Sequence, residues 1–219
     1  MIAAVLAGGE NRRFPFTKGF MKIGGKRIIE STLETLSGIF ESVLVSTNEP
    51  ELYFYLGVPL IGDMLKERGP MTGMLSVLFS TGRSQIFFVA CDMPFIRPEL
   101  IRYMVDKYRA ENKELRTQNT DKGNPAPGSE QSWDAVIPLL DKTPQPLCGI
   151  YSSSVIKTME RRIDEGEKSL TRCMEELNVL YIGEDEVKAV DPEGKSFTNI
   201  NTMEDYEKIV GSQQSVVKG

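Results

Sequence analysis

Leu6-Ala7-Gly8-Gly9-Glu10-Asn11-Arg12-Arg13, with Lys18 five residues further on, joins a short apolar run to a glycine turn and then to a row of cations. Glycines let the backbone approach a ligand and turn N–H groups into a hollow, and cations beside them neutralise phosphate oxygens. That is the chemistry of a phosphate cradle. The spacing is not the dinucleotide G-x-G-x-x-G. It is not a P-loop either, because Gly194-Lys195-Ser196 has Ala189 where that motif needs glycine. A second residue with chemistry in it is Asp92, which ends the longest strand-like run, Gln85 to Cys91. A carboxylate there can hold Mg²⁺, an ion that keeps most of its waters and bridges phosphate oxygens, or it can cap the turn before Pro94. Asn48, ahead of Glu49-Pro50, reads equally as a ligand contact and as a turn residue.

The rest of the composition narrows the chemistry. No histidine occurs anywhere, which removes Ser-His and Cys-His triads, His-ligated zinc and a histidine general base together. The three cysteines, Cys91, Cys148 and Cys173, lack metal-ligand spacing and read as free thiols of a reducing compartment. A formal charge of −5 argues against a general nucleic-acid binder. The distribution of charge says more: residues 1–29 hold six basic side chains against the single acid Glu10, a cationic patch suited to a small anion. No apolar run has the roughly 18 residues of a membrane helix, and Met1 leads into Ile2 without a basic leader. Cytoplasmic placement is the expectation.

These residues need a frame. Ile2–Leu6, Ser42–Ser46, Val58–Ile61 and Gln85–Cys91 are strand-like. Between them Arg27–Leu36 and Met71–Ser80 have helical spacing, and a further helix follows Pro98 as far as Tyr108. This alternation predicts an α/β fold, a doubly wound, mostly parallel twisted sheet with helices on both faces. Such sheets bind ligands at the carboxyl ends of their strands, where Gly8 and Asp92 both fall. Residues 110–132, rich in Glu, Asn, Lys, Gln and Gly, read as a flexible insertion. Strands are expected again at Trp133–Ile137, Leu147–Tyr151, Val179–Ile182 and Ser196–Phe197. Helices are expected after Ser152 and Ser169 and over Met203–Val210, the last capped by Thr202. The expected organisation is one domain over 1–211, with a nucleotide-binding half (1–109), the insertion (110–132), an acceptor-binding half (133–211) and a frayed tail (212–219).

The motif Leu6-Ala7-Gly8-Gly9…Arg13…Lys18 resembles the opening signature of nucleotidyltransferases with the sugar-nucleotide pyrophosphorylase fold, most closely the molybdenum cofactor guanylyltransferases. Further matches follow in the family's order. They are Gly62-Asp63, Gly69-Pro70-Met71-Thr72-Gly73-Met74-Leu75, Cys91-Asp92-Met93-Pro94-Phe95-Ile96, Gln145-Pro146-Leu147-Cys148-Gly149-Ile150-Tyr151 and Asn199-Ile200-Asn201-Thr202. The resemblance implies transfer of GMP from Mg-GTP to the terminal phosphate of molybdopterin, with release of pyrophosphate. It implies Leu6, Ala7, Gly8, Gly9, Lys18, Asn48, Asp63, Gly73 and Asp92 around GTP, and Arg13, Lys18 and Asp92 as the catalytic set with Asp92 on Mg²⁺. Pro146, Leu147, Tyr151, Asn199 and Asn201 would then receive the acceptor. Lys18 would reach the α-phosphate and Arg13 brace the β- and γ-phosphates. Transient contact with cofactor-delivery or acceptor proteins is a further implication. One departure is Arg13-Phe14-Pro15, where the family commonly has Arg-Met-Gly; Pro15 donates no N–H. Two other readings stay open on sequence: a transferase using CTP, UTP or GTP on a sugar phosphate or another phosphorylated metabolite, and a nucleotide-binding domain without turnover.

Overall fold

The computed structural model describes the backbone of residues 1–8, 18–120 and 132–216. Strand β1, Ile2–Leu6, is buried along its whole length. A continuous Ile-Ala-Ala-Val-Leu run is stable in that position only where helices cover both faces of a sheet. After a 3₁₀ turn at Lys18–Phe20 the chain forms a small hairpin, β2 (Lys22–Ile23) and β3 (Lys26–Arg27), turning at Gly24-Gly25. Helix α1 (Ile28–Ser37) buries Ile28, Ile29, Thr32, Leu33 and Leu36, the three- and four-residue spacing that keeps one stripe inward. Next come β4 (Val43–Ser46), β5 (Leu60–Ile61), α2 (Pro70–Thr81), β6 (Gln85–Ala90) and α3 (Pro98–Thr120). The second half supplies β7 (Ala135–Leu140), β8 (Thr143–Pro144), β9 (Cys148–Ser152), α4 (Ile156–Asp164), α5 (Leu170–Met174), β10 (Val179–Ile182), α6 (Glu184–Val190) and α7 (Met203–Val216).

Among the described residues the main sheet has eight strands in the order β10-β7-β9-β6-β1-β4-β5, with β8 paired to β7. β5, β4, β1 and β6 run parallel, with Leu6 in register with both Ser46 and Ala90, and Ser46 with Ile61. β9 runs against both β6 and β7, and β10 is parallel to β7. Alternate residues serve opposite faces. Ala3, Val5, Phe87 and Val89 pack with α1, α3 and α6, while Ile2, Ala4, Ile86 and Phe88 pack with α2, α4 and α5. The expected α/β sheet with helices on both faces is the observed one.

Three local expectations are corrected. Residues 110–120 are helical, so α3 runs on to Thr120 where a loop was expected; 121–131 lie outside the described residues. Ser196–Phe197 belongs to a 3₁₀ turn, Lys195–Phe197, because Asp191 accepts backbone N–H groups that a strand would give to a neighbour. Helix α7 continues past Gly211 to Val216, so 212–216 is not a frayed tail.

Candidate active site

The parallel strands deliver their following residues to one edge of the sheet. Gly8 follows β1, Asn48 follows β4, Asp63 follows β5 and Asp92 follows β6. The N–H of Cys91 donates to the Leu6 carbonyl at 3.1 Å, so the β1 and β6 loops start side by side. Because β9 is antiparallel, its amino end lies at the same edge. Leu147 accepts the Ala90 N–H at 2.9 Å, which sets Pro146 and Leu147 beside the Asp92 loop. From the far end of the chain, the Ile200 N–H donates to the Asp92 carbonyl at 3.1 Å and brings the exposed Asn199 and Asn201 to that loop. Gly9 and Arg13 lie outside the described residues, as does the side chain of Lys18; the Lys18 backbone opens the 3₁₀ turn that leads to α1.

Asn48 and Asp63 are locked together. The Asn48 Nδ2 donates to Asp63 Oδ2 at 2.6 Å, and the Asp63 N–H donates to Asn48 Oδ1 at 2.7 Å. A carboxylate has about four lone-pair sites, so Asp63 keeps acceptor capacity towards a ligand. Gly73 stands behind this pair in α2. A Cβ there would be 3.0 Å from Ser46 Oγ, 3.5 Å from Asp63 Oδ1 and 3.7 Å from the Leu6 side chain. Its bare backbone lets α2 lie close on β1 and β4. That place, buried between helix and sheet, gives Gly73 a packing role beside the Asn48–Asp63 pair. α2 begins at this edge with Pro70 at its first position, which puts its N-terminal partial positive charge on the same side of the sheet.

Tyr151 is held in the core. Its ring is wholly buried, edge-on to Phe88 with centroids 5.9 Å apart, and its hydroxyl donates to the Pro146 carbonyl at 2.7 Å. It braces the Gln145–Leu147 turn from inside the core. Burial pushes its phenol well above the usual range. Thr202 caps α7 as expected: its Oγ1 accepts the Asp205 N–H at 3.1 Å, while Asp205 accepts from the N–H groups of Asn201 and Thr202.

Two features had no local signal in the sequence. Tyr53 is fully buried, its ring stacked on Phe20 at 5.1 Å, and its hydroxyl, beside Gly19, has no hydrogen-bond partner among the described residues. Burial raises its phenol far above the ordinary value, with Cys91 adding to the effect. Asp191 is fully buried beside Arg97, 94 positions earlier, with Oδ1 3.3 Å from Nε. An Asp-Pro pair in sequence reads only as a turn, and nothing nearby announces the distant guanidinium.

The arrangement has the parts for nucleotidyl transfer: a glycine and a carboxylate following adjacent strand ends, a helix N-terminus, and asparagines returned from the carboxyl end of the chain. Comparison with known proteins agrees. A MobA-like NTP transferase domain model matches residues 3–179. A probable molybdenum cofactor guanylyltransferase of Peptoclostridium acidaminophilum is 30% identical over 203 residues, covering 93% of this chain and 85% of that one. A molybdenum cofactor guanylyltransferase of Desulfosudis oleivorans is 30% identical over 205 residues, covering 93% and 91%. Among solved structures, molybdopterin-guanine dinucleotide biosynthesis protein A from Archaeoglobus fulgidus superposes with a TM-score of 0.75 at 28% identity, covering 98% of this chain and all of that one. With its domain match, its relatives and its strand-end cleft in agreement, this chain belongs to the MobA-like NTP transferase domain family.

Proposed function

We propose that the protein transfers GMP from GTP to the terminal phosphate of molybdopterin and releases pyrophosphate. The observation that carries this reading is the edge-sharing of β1 and β6, whose Cys91-to-Leu6 hydrogen bond starts the loops of Gly8 and Asp92 from adjacent strand ends. The relatives' names supply the substrates. A phosphate monoester is already largely ionised at pH 7, so the attacking oxygen needs no general base, in keeping with a chain that has no histidine. Gly8 and Gly9 amides together with Lys18 and Arg13 hold the triphosphate and offset charge on the leaving group. Pro146 and Leu147 line the acceptor side, with Asn199 and Asn201 between acceptor and Asp92. Asp63, held by Asn48, accepts from the guanine N1–H and amino group, and an adenine in its place leaves that acceptor unpaired.

The donor set suits Mg²⁺. Among the described residues no cluster of three or more His, Cys, Asp or Glu forms a cage, and one carboxylate completed by phosphate oxygens and water is the arrangement Mg²⁺ favours. Asp92 would hold the ion, which supplies charge neutralisation across the phosphate oxygens. No helix among the described residues is long and apolar enough to cross a membrane, and we place the reaction in the cytoplasm, with the acceptor handed over by transient contact with delivery proteins.

The test is incubation with Mg²⁺, each of the four NTPs and molybdopterin, following pyrophosphate and the pterin product. GTP is expected to be the substrate of choice, and Asp92→Ala to lower kcat by about 10²–10³-fold. Preference for CTP or UTP, or an unaltered Asp92→Ala, overturns the proposal.

A further inference from the structure

The stretch from Asp191 to Ile200 has little regular structure, yet it is fastened to the Asp92–Arg97 loop at three points. Asp191 Oδ1 lies 3.3 Å from Arg97 Nε, the Arg97 N–H donates to Ser196 Oγ at 3.0 Å, and the Ile200 N–H donates to the Asp92 carbonyl at 3.1 Å. The Asp191 carboxylate also accepts the N–H groups of Lys195 at 3.2 Å and Ser196 at 2.8 Å, which bends its own segment into shape. Asp191 is 0% exposed. A buried carboxylate is tolerated only with its lone pairs satisfied, and here one side chain satisfies them from both of the segments it joins. The same stretch reaches the other arm of the cleft. The Ile200 side chain packs with Met21 and Ile28, and the Tyr206 hydroxyl donates to the Lys22 carbonyl at 2.8 Å.

We infer that Asp191 and Arg97 are positioning residues for the transfer reaction: the buried Asp191 carboxylate, paired with the half-buried Arg97, fixes the Asp92 carboxylate relative to Asn199 and Asn201. The inference rests on the reading of Asp92 as the metal-holding carboxylate. Apolar contacts alone leave a loop free to slide, whereas an ion pair to a buried carboxylate and two neighbouring backbone N–H hydrogen bonds restrict it. Displacement of a reacting group by about 1 Å is enough to cost about 10²-fold in rate.

The experiment measures Mn²⁺ affinity in the presence of GTP by electron paramagnetic resonance of the free ion, alongside steady-state kinetics and thermal unfolding. The variants are Asp191→Asn, Arg97→Lys and Asp92→Asn. For Asp191→Asn we expect Mn²⁺ affinity lowered about tenfold and kcat lowered 10- to 100-fold, with KM for GTP changed less than threefold. Arg97→Lys keeps the charge without the planar fork, and is expected to give the same pattern at smaller amplitude; it carries the test if Asp191→Asn fails to fold. A folded variant with lower thermal stability but wild-type Mn²⁺ affinity and kcat overturns the inference, since purely structural bracing would do that. Asp92→Asn separates the two claims. If it binds Mn²⁺ as the wild type does, the metal assignment falls; if it loses the ion while Asp191→Asn and Arg97→Lys do not, only the positioning role falls.

Discussion

Among the described residues the buried hydroxyl of Tyr53 has no partner, and an unsatisfied buried polar group of this kind costs about 1–3 kcal/mol. Tyr53→Phe removes the oxygen and keeps the stacking on Phe20. It is expected to raise the unfolding temperature by about 2–4 °C per kcal/mol recovered in a domain of this size, read by calorimetry. The cysteines give a second expectation. Burial pushes the Cys148 thiol up to about 12, with Asp191 adding to it, and the Cys173 thiol up to about 11, from ordinary values of 9.0. Neither will react with a disulfide reagent in the native protein at pH 8, and both will after denaturation. Because the folded values are raised, their contribution to stability is complete below about pH 9 and is lost as pH climbs towards 11–12, so the unfolding temperature should fall across that window. Residues whose role depends on their chain neighbours were legible in the sequence. Gly8 was marked by the run before it and Asp92 by the strand it ends, and both stand at the expected edge. Tyr151 and Asp191 were not, because what defines them is a carbonyl behind the turn in one case and a guanidinium 94 positions away in the other.

Strand β9 separates the parallel strands of the first half from β7 and β10, and its fit depends on Gly149. A Cβ there would stand 2.5 Å from Ile137 Cδ1 and 3.1 Å from both the Tyr151 ring and the Val136 carbonyl. Gly149→Ala therefore overpacks the centre of the sheet, at a cost of about 1–3 kcal/mol. Pairing it with Ile137→Val, which removes the nearest atom, should recover part of the loss in a denaturant titration. Elsewhere α6 is pinned to α3 through Glu186. Burial opposes its charge, but hydrogen bonds from Lys107, Tyr103 (2.5 Å) and the Gly183 N–H (2.9 Å) prevail, and the carboxyl sits below its ordinary value. A lowered value means the contribution is present at neutral pH and lost in acid. The gap in unfolding temperature between wild type and Glu186→Gln should thus close as pH falls below about 4.5. The strands were the easiest elements to read, since fully apolar runs have few other homes. The tail of α3 was misread because 110–120 has almost no hydrophobes, yet its Ala, Glu, Lys, Leu, Arg and Gln are good helix formers. Asn112 also ties that stretch inward, donating to the Tyr108 carbonyl at 2.9 Å and accepting the Trp133 N–H at 3.2 Å.

The two halves of the molecule meet at the β6–β9 seam, and every strand end bearing a candidate group opens on one side of it. That common edge followed from the alternation of strands and helices. The reversal of β9, which brings the Pro146–Leu147 stretch to the same edge of the sheet, did not, because direction within a sheet leaves no periodicity of its own. The fastening of Ile200 to Asp92 has an implication for how the protein is made. Among the described residues the last strand of the sheet ends at Ile182, so every strand leaves the ribosome ahead of the segment that fastens Ile200 to Asp92. A message cut short after α6 would encode all the strands of the sheet and none of that fastening.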